Sequence, residues 1–247
     1  MHLRPRHQRG FTLTELAVVM VIIGFLVTSG VIAFNAQVEQ RSYDETQRRL
    51  NAAVDALLAY AVVNRRLPCP AVTGATGVEA RSDGSVAAGG NCTTTYGGFL
   101  PAETIGFAHF DSDRYGLDAY NNRIRYALAA GVTGCAGTPA APHFTSVANL
   151  KANGISCRPN GLEVCTSASC ASRVVSTETA AFVVFSTGKN GALAGSQGDD
   201  ETENTNGNGT FVSRTPGTTG AAAFDDVMVV VPVGVLYARL IAAGVLP

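Results

Sequence analysis

Basic residues are few and scattered in this chain of 247 residues. Lysine occurs twice, at Lys151 and Lys189, and the arginines stand apart except for the pairs Arg48-Arg49 and Arg65-Arg66. A grip on nucleic acid needs a concentrated basic face, so DNA or RNA binding is not expected. Histidine is equally sparse beyond the N-terminus, where only His109 and His143 occur; with no C-x2-C, this argues against zinc. No G-x-S-x-G is present, and two histidines leave few bases to activate a nucleophile, so no enzymatic activity is expected. The glycine-rich GGNCTTTYGG lacks the lysine and helix start of a phosphate cradle. Proline is missing from Phe11 through Leu67, so no ring interrupts a helix there.

What the chain does have is an apolar run at its start. Leu16 to Ala33 is 18 residues without a charge, the lower end of membrane-spanning length. Arg4, Arg6 and Arg9 precede it, whereas Glu39, Arg41, Asp44 and Glu45 follow, which places the N-terminus in the cytoplasm by the positive-inside rule. No small-residue cleavage site follows the run, so the segment is expected to stay with the protein. Immediately before it sits Glu15, a carboxylate that is costly in a membrane unless paired. Beyond Phe34, Leu50, Val54, Leu57, Leu58 and Ala61 form one apolar stripe at helical spacing, and Pro68 and Pro70 end the pattern. A continuous helix over residues 11–64 would be about 80 Å long at 1.5 Å per residue.

The remainder is one domain's worth of chain. All six cysteines, Cys69, Cys92, Cys135, Cys157, Cys165 and Cys170, follow the apolar run, an even number that points to disulfides in an oxidising compartment. Spacing does not choose among the pairings, although Cys69 with Cys92 and Cys165 with Cys170 are the local options. Residues 71–95 read as a loop. RIRYALA (123–129), AAFVVFST (180–187) and DVMVVVP (226–232) read as strands of a small antiparallel sheet, and the tail as a short helix capped near Gly244. The expected class is therefore α+β. Two acidic stretches could offer hard oxygen ligands to Ca2+. DSDRYGLD (111–118) echoes the start of a calcium loop, but Tyr115 stands where a carboxylate or amide belongs. Residues 188–209 contain Asp199, Asp200 and Glu201, which would be metal ligands or a solvated surface.

RGFTLTELAVVMVIIG, Arg9 to Gly24, closely resembles the N-terminal signal of type IV pilins and of the pseudopilins of type II secretion. The resemblance implies a leader, residues 1–10, removed by a prepilin peptidase between Gly10 and Phe11, with methylation of the new N-terminus. It implies a membrane and filament-core helix over 11–34, an amphipathic continuation over 35–65 and an exported head over 66–247, which is a pilin-like fold. Glu15 falls at the fifth mature position, where the family's glutamate neutralises a neighbouring subunit's amine; in a filament core a buried charge is tolerable only when paired. Implied partners are other pilin or pseudopilin subunits, the peptidase and an inner-membrane assembly platform. Ile32 stands where many major pilins have proline. STGKNGALAGSQGDDE, followed by a strand, is similar to the calcium loop of major pseudopilins, with altered spacing. The competing expectation is a single-pass anchored exported binding domain or enzyme whose N-terminus only looks like a prepilin.

Overall fold

The computed structural model describes residues 12–82, 90–175, 180–193, 197–217 and 223–246, and only the backbone course of 29–36 and 175. The chain forms two compact units, residues 1–42 and 43–247. Helix α1, Leu13–Asn64, begins in the first and ends in the second. Among the described residues no helix is long and apolar enough to cross a membrane. The described uncharged part, Leu16–Thr28, is thirteen residues, short of the roughly 20 a bilayer needs. The rest of the predicted span falls on residues 29–36, whose side chains lie outside the described residues.

In the second unit the last turns of α1 bury Leu50, Ala53, Leu57, Leu58 and Ala61, the i, i+3, i+7, i+8, i+11 spacing of one helix face. Val54, a member of the predicted stripe, is only half-buried, and Ala53 takes the inner position. These side chains share one core with a four-stranded antiparallel sheet in the order β1-β2-β5-β7. Its strands are β1 (Gly98–Phe99), β2 (Arg125–Leu128), β5 (Ala180–Ser186) and β7 (Val227–Pro232). The three predicted strands are β2, β5 and β7. Every residue of β5 is buried, and its alternation sends Phe182 to the Tyr126 ring and Phe185 to the Phe211 ring on opposite faces.

A second sheet was not foreseen. Its order is β4-β3-β6, from β3 (Glu163–Cys165), β4 (Arg173–Val175) and β6 (Thr210–Val212). β3 pairs antiparallel with β4 and parallel with β6, so the head is not built on antiparallel pairs alone. Three-residue strands leave too short a period for sequence patterning to register. The short helices α2 (Ala102–Ile105), α3 (Val147–Asn153) and α4 (Asp199–Thr205) lie in the connections, and α5 (Val233–Ala242) follows β7. After α5, Gly244 at φ +67° turns the chain back, so that the Val245 N–H donates to the Leu240 carbonyl at 2.8 Å. The Tyr237 hydroxyl on α5 donates to the Cys157 carbonyl at 2.6 Å. All six cysteines are bridged, as Cys69–Cys92, Cys135–Cys157 and Cys165–Cys170.

The end of α1 is tied to the following loop by a buried ion pair. Arg66 holds both Glu79 oxygens, Nη2 to Oε1 at 2.6 Å and Nη1 to Oε2 at 2.8 Å. Only 4% and 9% of the two side chains are exposed. The Cys69 N–H and the Tyr60 hydroxyl add donors to the same carboxylate. Burial alone would push Glu79 up, but Arg66 overrides it and holds the carboxyl below its ordinary value. Replacing one partner strands the other charge in the interior. Glu79→Ala should therefore lower unfolding free energy by about 3–5 kcal/mol in a urea titration; a loss within the scatter of surface substitutions would refute this role.

Candidate functional site

Two places in the chain concentrate chemistry. The first is the start of α1, where Thr12 and Glu15 form a reciprocal cap. The Glu15 N–H donates to Thr12 Oγ1 at 3.2 Å, while Glu15 Oε2 accepts from the Thr12 N–H and hydroxyl, each at 2.9 Å. The T-x-x-E spacing dictates this, since the third helical residue lies one turn above the cap. Glu15 thus lies on its own helix, next to exposed apolar surface. Every large apolar side chain from Leu13 to Val27 is exposed in the isolated chain. So much contiguous apolar surface marks a contact with lipid or protein.

The second place is a carboxylate cluster in the head. Glu201, on α4, is fully buried, and one oxygen each of Glu201, Asp225 and Asp226 lies within 4.8 Å of the others. Glu201 Oε1 accepts from the Asp225 N–H at 2.8 Å, and Oε2 from Asn190 Nδ2 at 3.0 Å and the Gly198 N–H at 3.1 Å. Asp225 Oδ2 accepts from the N–H groups of Lys189 and Asn190, and Asp226 Oδ2 from Asn204 Nδ2 at 2.7 Å. Gly188, at φ +65°, brings the backbone so close that a Cβ there would collide with the Asp225 carboxylate. The remaining oxygens, Asp225 Oδ1 and Asp226 Oδ1, are buried without a hydrogen-bond partner among the described residues.

Burial pushes the Asp225 carboxyl up to about 6 and that of Asp226 up to about 8, with the Glu201 charge adding to both. Converging carboxylates with unpartnered oxygens suit a hard divalent cation, which takes oxygen ligands and would cancel the repulsion. Nothing here pairs a nucleophile with a base.

The expected ligands divide. Glu201 belongs to the cluster, while Asp199 is exposed and Asp200 is engaged elsewhere, accepting from Arg214 Nε and the Ala168 N–H at 2.8 Å each. Helical geometry explains the split, because consecutive residues of α4 point about 100° apart. In the other acidic stretch, Arg123 occupies both carboxylates, Nε to Asp111 at 2.7 Å and Nη2 to Asp113 at 2.8 Å. Sequence reasoning missed Asp225 and Asp226, of which Asp226 opens the run DVMVVVP read as a strand and Asp225 precedes it. The available signal was a pair of carboxylates abutting a valine run. His143 is buried with Nδ1 3.2 Å from the Ala136 carbonyl, and His109 is exposed.

Residues 5–31 match the family model described as the prokaryotic N-terminal methylation motif. The chain carries the type IV pilin and pseudopilin signal. The matched segment contains Glu15 and most of the exposed apolar helix. Gly10 and Phe11, which flank the implied cleavage point of this signal, lie outside the described residues. A pilin-type signal is that of proteins first anchored in a membrane and then exported. No curated protein and no solved structure matches the chain. An N-terminal helix followed by an antiparallel sheet agrees with a pilin-like fold.

The cluster imposes a pH dependence whose sign can be worked out. In the unfolded chain both aspartates ionise near pH 4, so the native state holds protons that the unfolded state has released. The stability they contribute is present below pH 4 and lost as pH rises through 6 and then 8. His143 acts oppositely: burial pulls it below its ordinary value, so its effect is a loss on acidification below about 6.5. Between pH 7 and 9, without divalent cations, the melting temperature should fall, and Asp226→Asn should flatten that slope. A flat profile in the unsubstituted protein would contradict the assigned burial.

Proposed function

We propose that this chain is a structural subunit of a type IV filament, a pilin or pseudopilin, and one of the minor or specialised kind. It acts by assembly and not by catalysis. The observation that carries the reading is the signal match over residues 5–31 on a helix whose apolar side chains are all exposed from Leu13 to Val27. Prepilin peptidase cuts between Gly10 and Phe11, and Phe11 becomes the methylated N-terminus. The precursor is held in the inner membrane by a single pass, leader in the cytoplasm and head in the periplasm, where the three disulfides suit the redox conditions. The assembly platform then transfers the helix into a filament of homologous subunits. There Glu15 exchanges its own Thr12 donors for a neighbour's amine, trading one charge-assisted contact for another in a drier setting.

Mass spectrometry of the membrane-extracted protein should give N-methyl-Phe11 as the first residue. An intact Met1 in cells with active prepilin peptidase would end the filament reading. Glu15→Val should be cleaved and retained in the membrane yet recovered in sheared filaments at a small fraction of the unsubstituted level; equal recovery would remove the pairing role.

The head of this subunit holds Ca2+ through Glu201, Asp225 and Asp226. The unpartnered Asp225 and Asp226 oxygens support this reading. A ligand that binds only the native state stabilises it by mass action, about 2.7 kcal/mol at a hundred times its dissociation constant. Millimolar Ca2+ at pH 7.5 should therefore raise the melting temperature, and Asp226→Asn should abolish the rise. An unchanged melting temperature would dismiss the site.

A further inference from the structure

A polar groove opens beside the four-stranded sheet, with a volume of about 320 Å³, in the lower range of small-ligand pockets. Phe99 and Arg125 lie opposite each other in the β1–β2 register, and the Arg125 guanidinium sits over the Phe99 ring, 4.6 Å from its centroid. Two arginines line the groove, and their situations differ. Arg123 is forked onto Asp111 and Asp113. The Arg125 side chain makes no hydrogen bond or ion pair with any described residue. Burial pulls its guanidinium below the ordinary value, and Asp226 is the one charge that counteracts this.

A guanidinium partly withdrawn from water without a direct ion pair carries a desolvation cost that a bound anion would offset, and its planar fork matches a carboxylate in two parallel hydrogen bonds. Around it the groove presents side-chain amides and hydroxyls, from Asn121, Gln197 and Thr205. Asn121 is exposed and held at φ +66° by the turn that Asp118 closes, with Asp118 Oδ1 accepting from the N–H groups of Tyr120 and Asn122 at 2.8 Å. Amides and hydroxyls complement a ligand rich in hydroxyl groups. An acidic peptide would satisfy the fork but find little apolar lining for its neighbouring side chains.

We propose that this groove binds an acidic saccharide, its carboxylate on the Arg125 guanidinium and its ring hydroxyls on Asn121 and Gln197. The experiment is a calorimetric titration of the full-length chain in detergent micelles with trigalacturonate. Neutral galactotriose, a hexaglutamate peptide and inorganic phosphate are the comparison ligands. Trigalacturonate should bind saturably, galactotriose should not, and peptide and phosphate should bind more weakly. Arg125→Lys, which keeps the charge and loses the fork, and Arg125→Gln should each weaken binding about tenfold or more, the effect of a lost charge-assisted hydrogen bond. Should circular dichroism show that the Arg125 variants do not fold, Asn121→Gly, which retains the left-handed backbone, decides: reduced affinity upholds the site and unchanged affinity overturns it. The proposal also falls if trigalacturonate does not saturate at millimolar concentration, if folded Arg125 variants bind as before, or if peptide or phosphate binds tighter.

Discussion

β5 has no exposed residue, and most of what the head does follows from that constraint. A strand buried on both faces must be paired on both edges and covered above and below, because unpaired backbone groups and bare apolar faces are both costly. β2 and β7 supply the edges. The terminal turns of α1 join the core with Tyr126 and Phe182, while Phe211 of the second sheet meets Phe185. At its end, Ser186 donates to the buried Asp118 carboxylate and accepts from the Gly188 N–H, so the chain leaves the sheet on a fixed course.

That course places the chemistry. Lys189 and Asn190 offer their N–H groups to Asp225, and Asn190 reaches Glu201, so the loop after β5, helix α4 and the approach to β7 meet around three carboxylates. Two of their oxygens are left without donors among the described residues while the rest are satisfied. Residual repulsion in a buried place is a local cost, and the rigid strands on either side keep the groups from relaxing apart. Arg125, on β2, is the complementary case of a half-buried cation with no side-chain hydrogen bond or ion pair among the described residues. Both lie on sheet-supported backbone, where a ligand finds its groups already positioned.

The N-terminal segment follows another logic. Its large apolar side chains from Leu13 to Val27 are exposed among the described residues, and the Glu15 carboxylate is held by a cap residue three positions away. So large an exposed apolar surface is the mark of a segment made to contact lipid or protein.

Legibility divided along the same line. Leu13–Asn64 could be read because helical spacing and the lack of proline are local properties, as could β2, β5 and β7, whose runs are long enough to show strand composition. The N-terminal signal was legible for a similar reason, since processing signals are recognised by the order of residues in an extended or single-helix segment. The second sheet was not, because three-residue strands joined by a parallel pair owe their existence to partners 47 residues apart. The cluster shows the limit most clearly: Asp199, Asp200 and Glu201 are neighbours in sequence, yet only Glu201 joins it, and its companions come from beyond β6. The chain alone determined the helix, the main strands and the N-terminal signal, through periodicity and contiguous order. Only the tertiary structure decided the carboxylate set and the half-buried setting of Arg125 against Phe99, because convergence and burial depend on residues that meet through the fold.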